Sequence, residues 1–353
     1  MKIITVVGAR PQFIKAAPVS REIRKEFDEV LIHTGQHYDE NMSKIFFDEL
    51  QIPVPDYNLQ IGSLGHGKMT GEMLGKLEDI YLNEKPDCVL VYGDTNSTLA
   101  GALAASKLLI PVIHVEAGLR SFNKNMPEEQ NRILTDNLSK LLLVPTKEAE
   151  INLSNEGFKD GIHNIGDVMY DAVLMFKERS KEKEYMLNEI GVSKGNYILT
   201  TIHRAENTND INRLRNIIEA LNESNENIVL PLHPRTKKFI EDYNLKLNDN
   251  IKVIEPVGYL EMLMLENNSK KIVTDSGGVQ KEAYFMKKPC ITMRDETEWV
   301  ETIKEGWNVL VGTNKEKILY EIKNFTPSSE QKNIFGDGSA SKRIIDIIKE
   351  TIL

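Results

Sequence analysis

Cysteine is scarce in this chain of 353 residues, which contains only Cys88 and Cys290. Each cysteine lies in an apolar run typical of a buried strand, and the two runs belong to different halves of the chain. We therefore expect no disulfide between them, and we expect the protein to be in a reducing compartment. Apolar runs of membrane-spanning length are absent, and the first apolar segment is too short for the core of a signal peptide. The sequence thus predicts a cytoplasmic protein with no membrane partner.

An excess of positive charge is also absent, since the formal net charge is −9. This balance argues against nucleic acid as the main partner. It does not exclude an anionic small molecule, because a few basic side chains can dominate one pocket. The chain shows no metal-ligand spacing of histidine, cysteine or carboxylate residues. Its first glycine turn lacks the later glycines of GxGxxG. We therefore expect neither a metal nor a nicotinamide cofactor.

Short apolar runs alternate with helical patterns along the whole chain, which predicts an α/β protein with parallel sheets. The length exceeds that of one typical core, so two domains are expected. We assign residues 1–166 to a first Rossmann-like domain and residues 167–339 to a second. Residues 340–353 form a final helix that is expected to pack back on the first domain. Two such domains facing each other across a cleft resemble the GT-B architecture, in which the cleft binds a nucleotide sugar.

Two carboxylates follow two neighbouring strands of the predicted first sheet. Residues 88–92 and 111–115 have the length and β-branched content of buried parallel strands, and a helix predicted over residues 96–109 joins them. Asp94 follows the first strand and Glu116 follows the second. Because ligands bind outside the carboxyl ends of parallel strands, we expect both side chains at one rim of the sheet.

A helix predicted to start at Pro127 brings Glu128 and Arg132 to the same rim. These two residues are four apart, so they share a helix face and can pair. Taken singly, each residue of this group is as readily a helix cap or a solvated ion pair. The four together favour a site for acid–base chemistry.

Two strand–turn–helix units predict binding of an anionic group. After the first strand, a glycine turn leads to a helix that Arg10 and Lys15 flank, and cations at a helix N-terminus are disfavoured unless an anion binds there. In the second domain, Ser276, Gly277 and Gly278 open another helix, whose backbone amides can hold a diphosphate.

Three further side chains are candidates in the second domain. Glu282 lies one turn into the helix that Gly278 opens and could hold a ribose diol, although a surface glutamate is the simpler interpretation. His203 and His233 follow two other predicted strands of the same sheet.

Read in order along essentially the whole chain, nine motifs resemble those of the non-hydrolysing UDP-N-acetylglucosamine 2-epimerases: GARPQFIK, HTGQHYD, YGDTNST, HVEAGLRSF, MPEEQNR, TIHRAEN, HPR, TDSGGVQKEA and RDETEWVET. The resemblance implies a homodimeric isomerase of GT-B fold, which epimerises UDP-N-acetylglucosamine to UDP-N-acetylmannosamine for surface polysaccharides without an external cofactor. By motif, it implies catalytic roles for Asp94, Glu116, Glu128, Arg132 and His203. It implies contacts to the UDP-sugar for Arg10, Lys15, His233, Ser276, Gly277, Gly278 and Glu282.

The chain departs from the family pattern in two respects. Tyr38 stands where substrate-regulated members carry an arginine, and the loop GSLGHG lacks another arginine. Activation by substrate at a second site is therefore expected to be weak or absent. RDETEWVET replaces the more frequent RDTTERPE, as in relatives that act on UDP-2,3-diacetamido-2,3-dideoxy-glucuronate. That sugar nucleotide is the alternative substrate.

The resemblance implies a mechanism in which UDP leaves C1 as the C2 proton is taken, which gives 2-acetamidoglucal, and UDP then adds back. This chemistry requires an acid and a base on opposite faces of C2, and which carboxylate serves which face stays open. A GT-B glycosyltransferase would need an acceptor site in addition. A non-catalytic nucleotide-sugar sensor would not need Glu116, Glu128 or His203.

Overall fold

The structure, a computed structural model, describes residues 1–36 and 51–352. The chain divides into two compact units. The first joins Met1–Met175 to Asn333–Leu353, and the second is Phe176–Lys332.

The boundaries between the units differ from those predicted. The predicted second domain begins at residue 167, but the first boundary lies within the helix Val168–Ser180. The segment from Asn333 returns to the first unit before the final helix begins. One reason is a backbone hydrogen bond of 2.9 Å from the N–H of Asp167 to the carbonyl of Phe335, which ties this segment to the end of the first sheet.

Seven parallel strands form the sheet of the first unit, in the order β3-β2-β1-β4-β5-β6-β7. These strands are β1 (Lys2–Val7), β2 (Asp28–His33), β3 (Tyr57–Asn58), β4 (Cys88–Tyr92), β5 (Val112–Val115), β6 (Leu141–Val144) and β7 (Ile162–Asn164). The helices that accompany them are α1 (Arg10–Glu26), α2 (His66–Glu84), α3 (Asn96–Lys107), α4 (Pro127–Leu138), α5 (Lys147–Asn155) and α6 (Val168–Ser180).

Six parallel strands form the sheet of the second unit, in the order β10-β9-β8-β11-β12-β13. These strands are β8 (Ile198–Thr201), β9 (Ile228–Pro231), β10 (Ile251–Ile254), β11 (Lys271–Thr274), β12 (Cys290–Thr292) and β13 (Asn308–Leu310). A 3₁₀ turn (Lys181–Lys183) precedes the helices α7 (Tyr185–Ile190), α8 (Ala205–Thr208), α9 (Ile211–Glu223), α10 (Pro234–Asp242), α11 (Tyr259–Asn268), α12 (Gly277–Phe285), α13 (Val300–Lys304) and α14 (Lys315–Asn324). The predicted class, an α/β protein with two parallel-sheet domains, is confirmed.

The central strands are buried on both faces, as the continuous apolar runs predicted. Both sheets are wound outwards from a central pair of strands, β1 and β4 in the first unit and β8 and β11 in the second. At such a pair the chain turns away in opposite directions, which leaves a crevice at the carboxyl ends of the strands. This topology fixes where ligand-binding side chains can gather in each unit.

The final helix, α15 (Ala340–Thr351), packs against α1 of the first unit. Its first turn is held by the Asp171 carboxylate, which accepts the N–H groups of Ala340 at 3.1 Å and Ser341 at 2.7 Å. Near its end, Lys349 Nζ lies 3.0 Å from Glu26 Oε2.

Both cysteines are buried free thiols. Burial raises the pKa of each thiol, to about 12 for Cys88 and for Cys290, so neither is a reactive thiolate near neutral pH. In the part of the chain that the structure describes, no helix has the length and apolar character required to cross a membrane.

His33, at the end of β2, predicts how stability depends on pH. Its ring stacks on Phe13 with centroids 4.9 Å apart, and its side chain is buried. Burial lowers the pKa of His33 to about 4, so the unfolded chain binds a proton in a pH range where the folded chain does not.

The contribution of His33 is therefore fully present above about pH 6.5 and is lost as pH falls towards about 4, by up to about 3 kcal/mol. Urea unfolding at a series of pH values should show this decline in wild type. The decline should be shallower in His33→Leu. Equal slopes in the two proteins would mean that His33 does not cause the decline.

Candidate active site

Arg132 lies at the centre of a cluster of charged side chains at the carboxyl ends of the strands of the first sheet. Its side chain is buried. Nε donates to Asp94 Oδ2 at 3.0 Å, and Nη1 donates to Glu129 Oε2 at 2.6 Å. The spacing of four residues between Glu128 and Arg132 predicts that these two side chains can pair. That expectation is wrong, because Glu128 points to solvent while Glu129, three residues before Arg132, takes the inward position.

The sequence did not identify Glu129 as a site residue, because its hydrogen bonds to a neighbouring loop cannot be predicted from the sequence. Besides pairing with Arg132, its carboxylate accepts the backbone N–H groups of Ser121 and Phe122, both at 2.9 Å. These bonds order the loop between β5 and α4 and explain why a charged side chain is almost completely buried. In the sequence, the residue is only a second acidic group in a first helical turn, which usually indicates compensation of the helix dipole.

Lys15 forms a buried ion pair with Glu116. The motif around Lys15 predicts a contact with the nucleotide diphosphate. In the structure, α1 directs the Lys15 ammonium group to Glu116, and contact between Lys15 and a ligand stays a prediction. A methyl group on Gly93 would lie 3.3 Å from Glu116 Oε2 and 3.6 Å from Lys15 Nζ. The pair therefore lies on the turn that follows β4, immediately before Asp94.

The pKa of Asp94 is raised above its usual value. Burial is the main cause, and the negative charge of Glu116 adds to it, while the positive charges of Arg132 and Lys15 act in the opposite direction. A carboxylate with a raised pKa is a better proton acceptor near neutral pH. The environment of Asp94 therefore suits it to accept and return a proton.

Glu116 adopts a backbone conformation that non-glycine residues rarely occupy, with φ at 75°. Such a left-handed conformation costs on the order of 1 kcal/mol and is typical of functional sites. It is held in place because the N–H groups of Glu116 and Ala117 both donate to the carbonyl of Leu143, at 3.0 and 3.2 Å. The fold thus stabilises a strained backbone that aims this carboxylate at Lys15.

Gln12 connects the first turn of α1 to the end of β4. Its Oε1 accepts the N–H groups of Gly8 at 2.8 Å and Ala9 at 3.0 Å, and its Nε2 donates to the carbonyl of Tyr92 at 2.8 Å. The strand–glycine turn–helix pattern predicts that this turn presents its amides to an anion. Two of those amides donate to Gln12 instead, so the turn has a structural role in linking α1 to the end of β4. Contact between Arg10 and a ligand stays a prediction.

A buried layer supports the same turn from beneath. His114 Nε2 donates to the carbonyl of Gly93 at 2.7 Å, and Nδ1 lies 2.6 Å from Asp136 Oδ1. The other oxygen of Asp136 lies 2.8 Å from Arg120 Nη2. These three charged or polar side chains are almost completely buried. None was predicted as a site residue, because the role of each becomes evident only from a partner that is distant in the sequence.

The loop GSLGHG reaches the charged group through His66, the first residue of α2. His66 Nδ1 lies 3.1 Å from Asn96 Nδ2. Asn131 Nδ2 in turn donates to Asn96 Oδ1 at 3.3 Å and to the carbonyl of Asp94 at 2.9 Å. Tyr38, the other position on which the expectation about substrate activation rests, lies outside the described residues, so that expectation stays a prediction.

In the second unit, Asp275 organises the crevice between β8 and β11. Its buried carboxylate accepts, at Oδ2, the N–H groups of His203 and Arg204 and the side-chain amide of Asn207, each at 3.1 Å. The imidazole of His203 remains half exposed, with Nδ1 3.3 Å from Asp275 Oδ1. Asp275 therefore fixes His203 at the mouth of this crevice, a role that the sequence analysis did not predict.

The predicted anion cradle is the start of α12. Ser276 is its N-cap, and its Oγ accepts the N–H of Val279 at 3.5 Å. Gly277 and Gly278 follow in the first turn, where backbone N–H groups are available to an anion. Glu282 lies one turn on and is 5 % exposed, so it is not the surface glutamate that the simpler interpretation assumed.

His233 has a local structural role as the N-cap of α10. Its Nδ1 accepts the N–H of Arg235 at 3.2 Å, and the side chain is exposed. A contact between His233 and a nucleotide stays a prediction.

Three comparisons place the chain among known proteins. A family model described as UDP-N-acetylglucosamine 2-epimerase matches residues 21–349. The chain is 62% identical, over 99% of each sequence, to a UDP-N-acetylglucosamine 2-epimerase homolog of Methanococcus maripaludis. It is 54% identical, also over 99% of each, to the UDP-2,3-diacetamido-2,3-dideoxy-D-glucuronate 2-epimerase of Pseudomonas aeruginosa. The crystal structure of Methanocaldococcus jannaschii UDP-GlcNAc 2-epimerase with UDP-GlcNAc and UDP is 48% identical and superposes with a TM-score of 0.90, covering 99% of this chain and 100% of that one.

The two glycines of the cradle predict different effects of alanine substitution. A methyl group on Gly277 would lie 2.3 Å from Glu298 Oε1, whose other oxygen is 2.9 Å from Arg294 Nη1. Gly277→Ala must therefore displace Glu298, so its first effect is on this side chain rather than a direct clash with a bound diphosphate. A methyl group on Gly278 meets open space, with Ser276 Oγ the nearest atom at 3.9 Å.

Gly278→Ala should therefore weaken binding of UDP by at least about tenfold, measured by calorimetry, because the methyl group would occupy the approach to the amides. Its thermal stability should be unchanged or higher, since alanine favours a helix. Gly277→Ala should reduce both affinity and stability. Wild-type affinity for UDP in Gly278→Ala would refute the cradle.

Proposed function

The chain belongs to the UDP-N-acetylglucosamine 2-epimerase family and is an isomerase, and we propose that it interconverts UDP-N-acetylglucosamine and UDP-N-acetylmannosamine at C2. The observation that carries this proposal is the gathering of Asp94 and Glu116 around Arg132 and Lys15 at the carboxyl ends of neighbouring strands. Proton transfer at C2 requires such paired acids and bases, with cations that stabilise developing negative charge.

The proposed reaction is an elimination followed by an addition. The C2 proton moves to a carboxylate, the C2–H electron pair forms the C1–C2 double bond, and the C1–O electron pair leaves with UDP. The products of this half-reaction are 2-acetamidoglucal and UDP. In the second half-reaction, UDP adds back to C1 while a proton is delivered to the opposite face of C2, which inverts that carbon.

The three acidic side chains have different environments, and each is a candidate for proton transfer. Asp94, with its raised pKa, is suited to take a proton. Glu116 forms an ion pair with Lys15 and is the second candidate for proton transfer. Glu128 is exposed, so its carboxylate is accessible to a bound sugar. Which of the three serves each face of C2 is left open by these positions.

We assign the nucleotide to the second unit. The amides at the start of α12 suit a diphosphate, and Glu282 suits the ribose hydroxyls. His203, fixed by Asp275, would stabilise charge or relay a proton. Arg10, Lys15 and His233 are further predicted contacts of the UDP-sugar, and a homodimer in the cytoplasm remains the expected state of the enzyme.

A second substrate is favoured by one comparison. The Pseudomonas aeruginosa relative named for UDP-2,3-diacetamido-2,3-dideoxy-D-glucuronate is more similar in sequence than the Methanocaldococcus jannaschii enzyme. The same 2-epimerisation of that sugar nucleotide is therefore the alternative function.

The proposal is tested by incubating the purified protein with each UDP-sugar alone in deuterated water and following the sugar by NMR. An epimerase should convert its substrate into a new UDP-sugar with deuterium at C2. The sugar nucleotide with the higher kcat/KM is the physiological candidate. A glycosyltransferase or a sensor would form no new UDP-sugar, and epimerised product that keeps its C2 hydrogen would contradict elimination.

Replacing Asp94, Glu116 or Glu128 by the matching amide should lower kcat by roughly two to four powers of ten, the usual contribution of a general acid or base. Affinity for UDP should change much less, because ground-state binding is largely retained. Steady-state kinetics and calorimetry measure the two effects. Glu78→Gln, an exposed change on α2, is the matched control and should leave both values unchanged. An amide variant with wild-type kcat would remove that residue from the mechanism.

A further inference from the structure

His114 lies in β5, between β4 and β6, and its side chain is completely buried. Each nitrogen of its ring faces an oxygen atom. Nε2 lies 2.7 Å from the carbonyl oxygen of Gly93, and Nδ1 lies 2.6 Å from Oδ1 of Asp136. Both distances are those of hydrogen bonds, so each pair of atoms needs a proton between them. A neutral imidazole carries a proton on only one of its nitrogens.

The partners of His114 decide where these protons lie. The Gly93 carbonyl can only accept, so Nε2 carries the first proton. The second proton belongs either to Nδ1 or to Asp136, whose Oδ2 lies 2.8 Å from Arg120 Nη2 and accepts the backbone N–H of Gly118 at 3.2 Å. A guanidinium and an N–H group both stabilise the ionised form of a carboxylate. The second proton therefore lies on Nδ1, which makes His114 an imidazolium ion.

The charged side chains around His114 balance one another when its ring is protonated. Arg120 is also buried and pairs with Glu156, to which its Nε and Nη2 each donate at 2.6 Å. His114 and Arg120 then supply the positive charges of the cluster, and Asp136 and Glu156 supply the negative charges. With a neutral His114, the cluster would keep an uncompensated negative charge beside a buried ring, which is strongly disfavoured.

The peptide group between Gly93 and Asp94 connects this charge to the candidate active site. That peptide is trans, so the N–H of Asp94 points away from the carbonyl that His114 holds. Within the described residues, no acceptor receives this N–H, and the Asp94 side chain is 34% exposed. A charged donor on the carbonyl strengthens the N–H of the same peptide as a donor, because hydrogen bonds in a chain polarise one another.

We propose that His114 is a positioning residue, an imidazolium ion that fixes the peptide before Asp94 and makes the Asp94 N–H a strong donor to an oxygen atom of the bound sugar nucleotide. The inference rests on the proposed function, because it takes Asp94 to be a proton-transfer group of the epimerase. His114 itself touches no substrate. It acts through the Gly93 carbonyl, and its charge is maintained by Asp136.

Nuclear magnetic resonance of the histidine rings tests the charge without any substrate. In protein with ¹⁵N-labelled histidine near neutral pH, His114 should carry protons on both ring nitrogens, with the chemical shifts of an imidazolium ion. The chain contains seven histidines, so the signals of His114 are identified by their loss in His114→Gln. His114→Asn serves the same purpose if that variant does not fold. A His114 ring with one unprotonated nitrogen would overturn the proposal.

Two substitutions remove the charge and keep one hydrogen bond each. The amide N–H of His114→Gln can reach the Gly93 carbonyl, and that of His114→Asn can reach Asp136. Both variants should lower kcat by about ten- to hundredfold, because neither supplies a charged donor to the peptide before Asp94. Affinity for UDP, measured by calorimetry, should stay within about threefold of wild type, because the nucleotide is assigned to the second unit. Wild-type kcat in folded His114→Gln would overturn the proposal.

Asp136→Asn separates the charge of His114 from the presence of its ring. The amide keeps the shape of the carboxylate but no longer stabilises the second proton of the imidazole. The resonance spectrum should then show a single protonated nitrogen on His114, and kcat should fall by a factor similar to that in His114→Gln. Loss of the second proton with wild-type kcat would overturn the proposal, because the charge would then not be the feature that matters.

A matched control and the wild-type activity distinguish the possible failures. His163 lies in β7 of the same sheet, and His163→Gln should leave both kcat and the His114 signals unchanged. A wild-type protein that epimerises neither UDP-sugar would refute the proposed function and, with it, the role of His114 in the reaction. An active wild type together with a fully active, folded His114→Gln would overturn the inference about His114 alone.

Discussion

The buried ion pair between Lys15 and Glu116 is the constraint around which the first unit is arranged. When both faces of a parallel sheet are covered by helices, charged side chains can be placed only at the ends of its strands. A charge that is buried there is tolerated only when it is paired. Lys15 comes from the helix after β1, and Glu116 from the end of β5, so the pair crosses the turn after β4. Gln12 and His114 hold that turn in place by hydrogen bonds to its backbone.

The supporting groups act by hydrogen bonds to the backbone. Gln12 holds the end of β4 from one side, and His114 holds the Gly93 carbonyl from beneath. Glu129 orders the following loop and orients Arg132 towards Asp94. The second unit uses the same device, since the buried Asp275 carboxylate collects the N–H groups at the end of β8. In both units, buried polar groups give strand ends the fixed geometry that catalysis and nucleotide binding require.

Local patterns in the sequence were sufficient for the fold class, for most strands and for the positions of Asp94, Glu116 and the glycines of the cradle. Strand ends are marked by the change from apolar to polar residues, and that change needs no knowledge of the rest of the chain. Partners were harder to predict. Lys15 and Glu116 are 101 residues apart, and their contact depends on the order of the strands. Whether Glu128 or Glu129 faces Arg132 depends on the loop that Glu129 binds. The two-residue strand β3 is too short to give a periodic signal.

We propose that the charged side chains at the carboxyl ends of β4 and β5 promote cleavage of the C1–O bond while a proton is transferred at C2. Positional isotope exchange tests the cleavage most directly, using UDP-N-acetylglucosamine with ¹⁸O in the bridge between C1 and the β-phosphorus. Elimination frees the diphosphate, whose terminal oxygens become equivalent before re-addition, so sugar nucleotide recovered from the wild-type reaction should carry ¹⁸O in non-bridging positions. Epimerised product that keeps all of its ¹⁸O in the bridge would contradict cleavage of the C1–O bond.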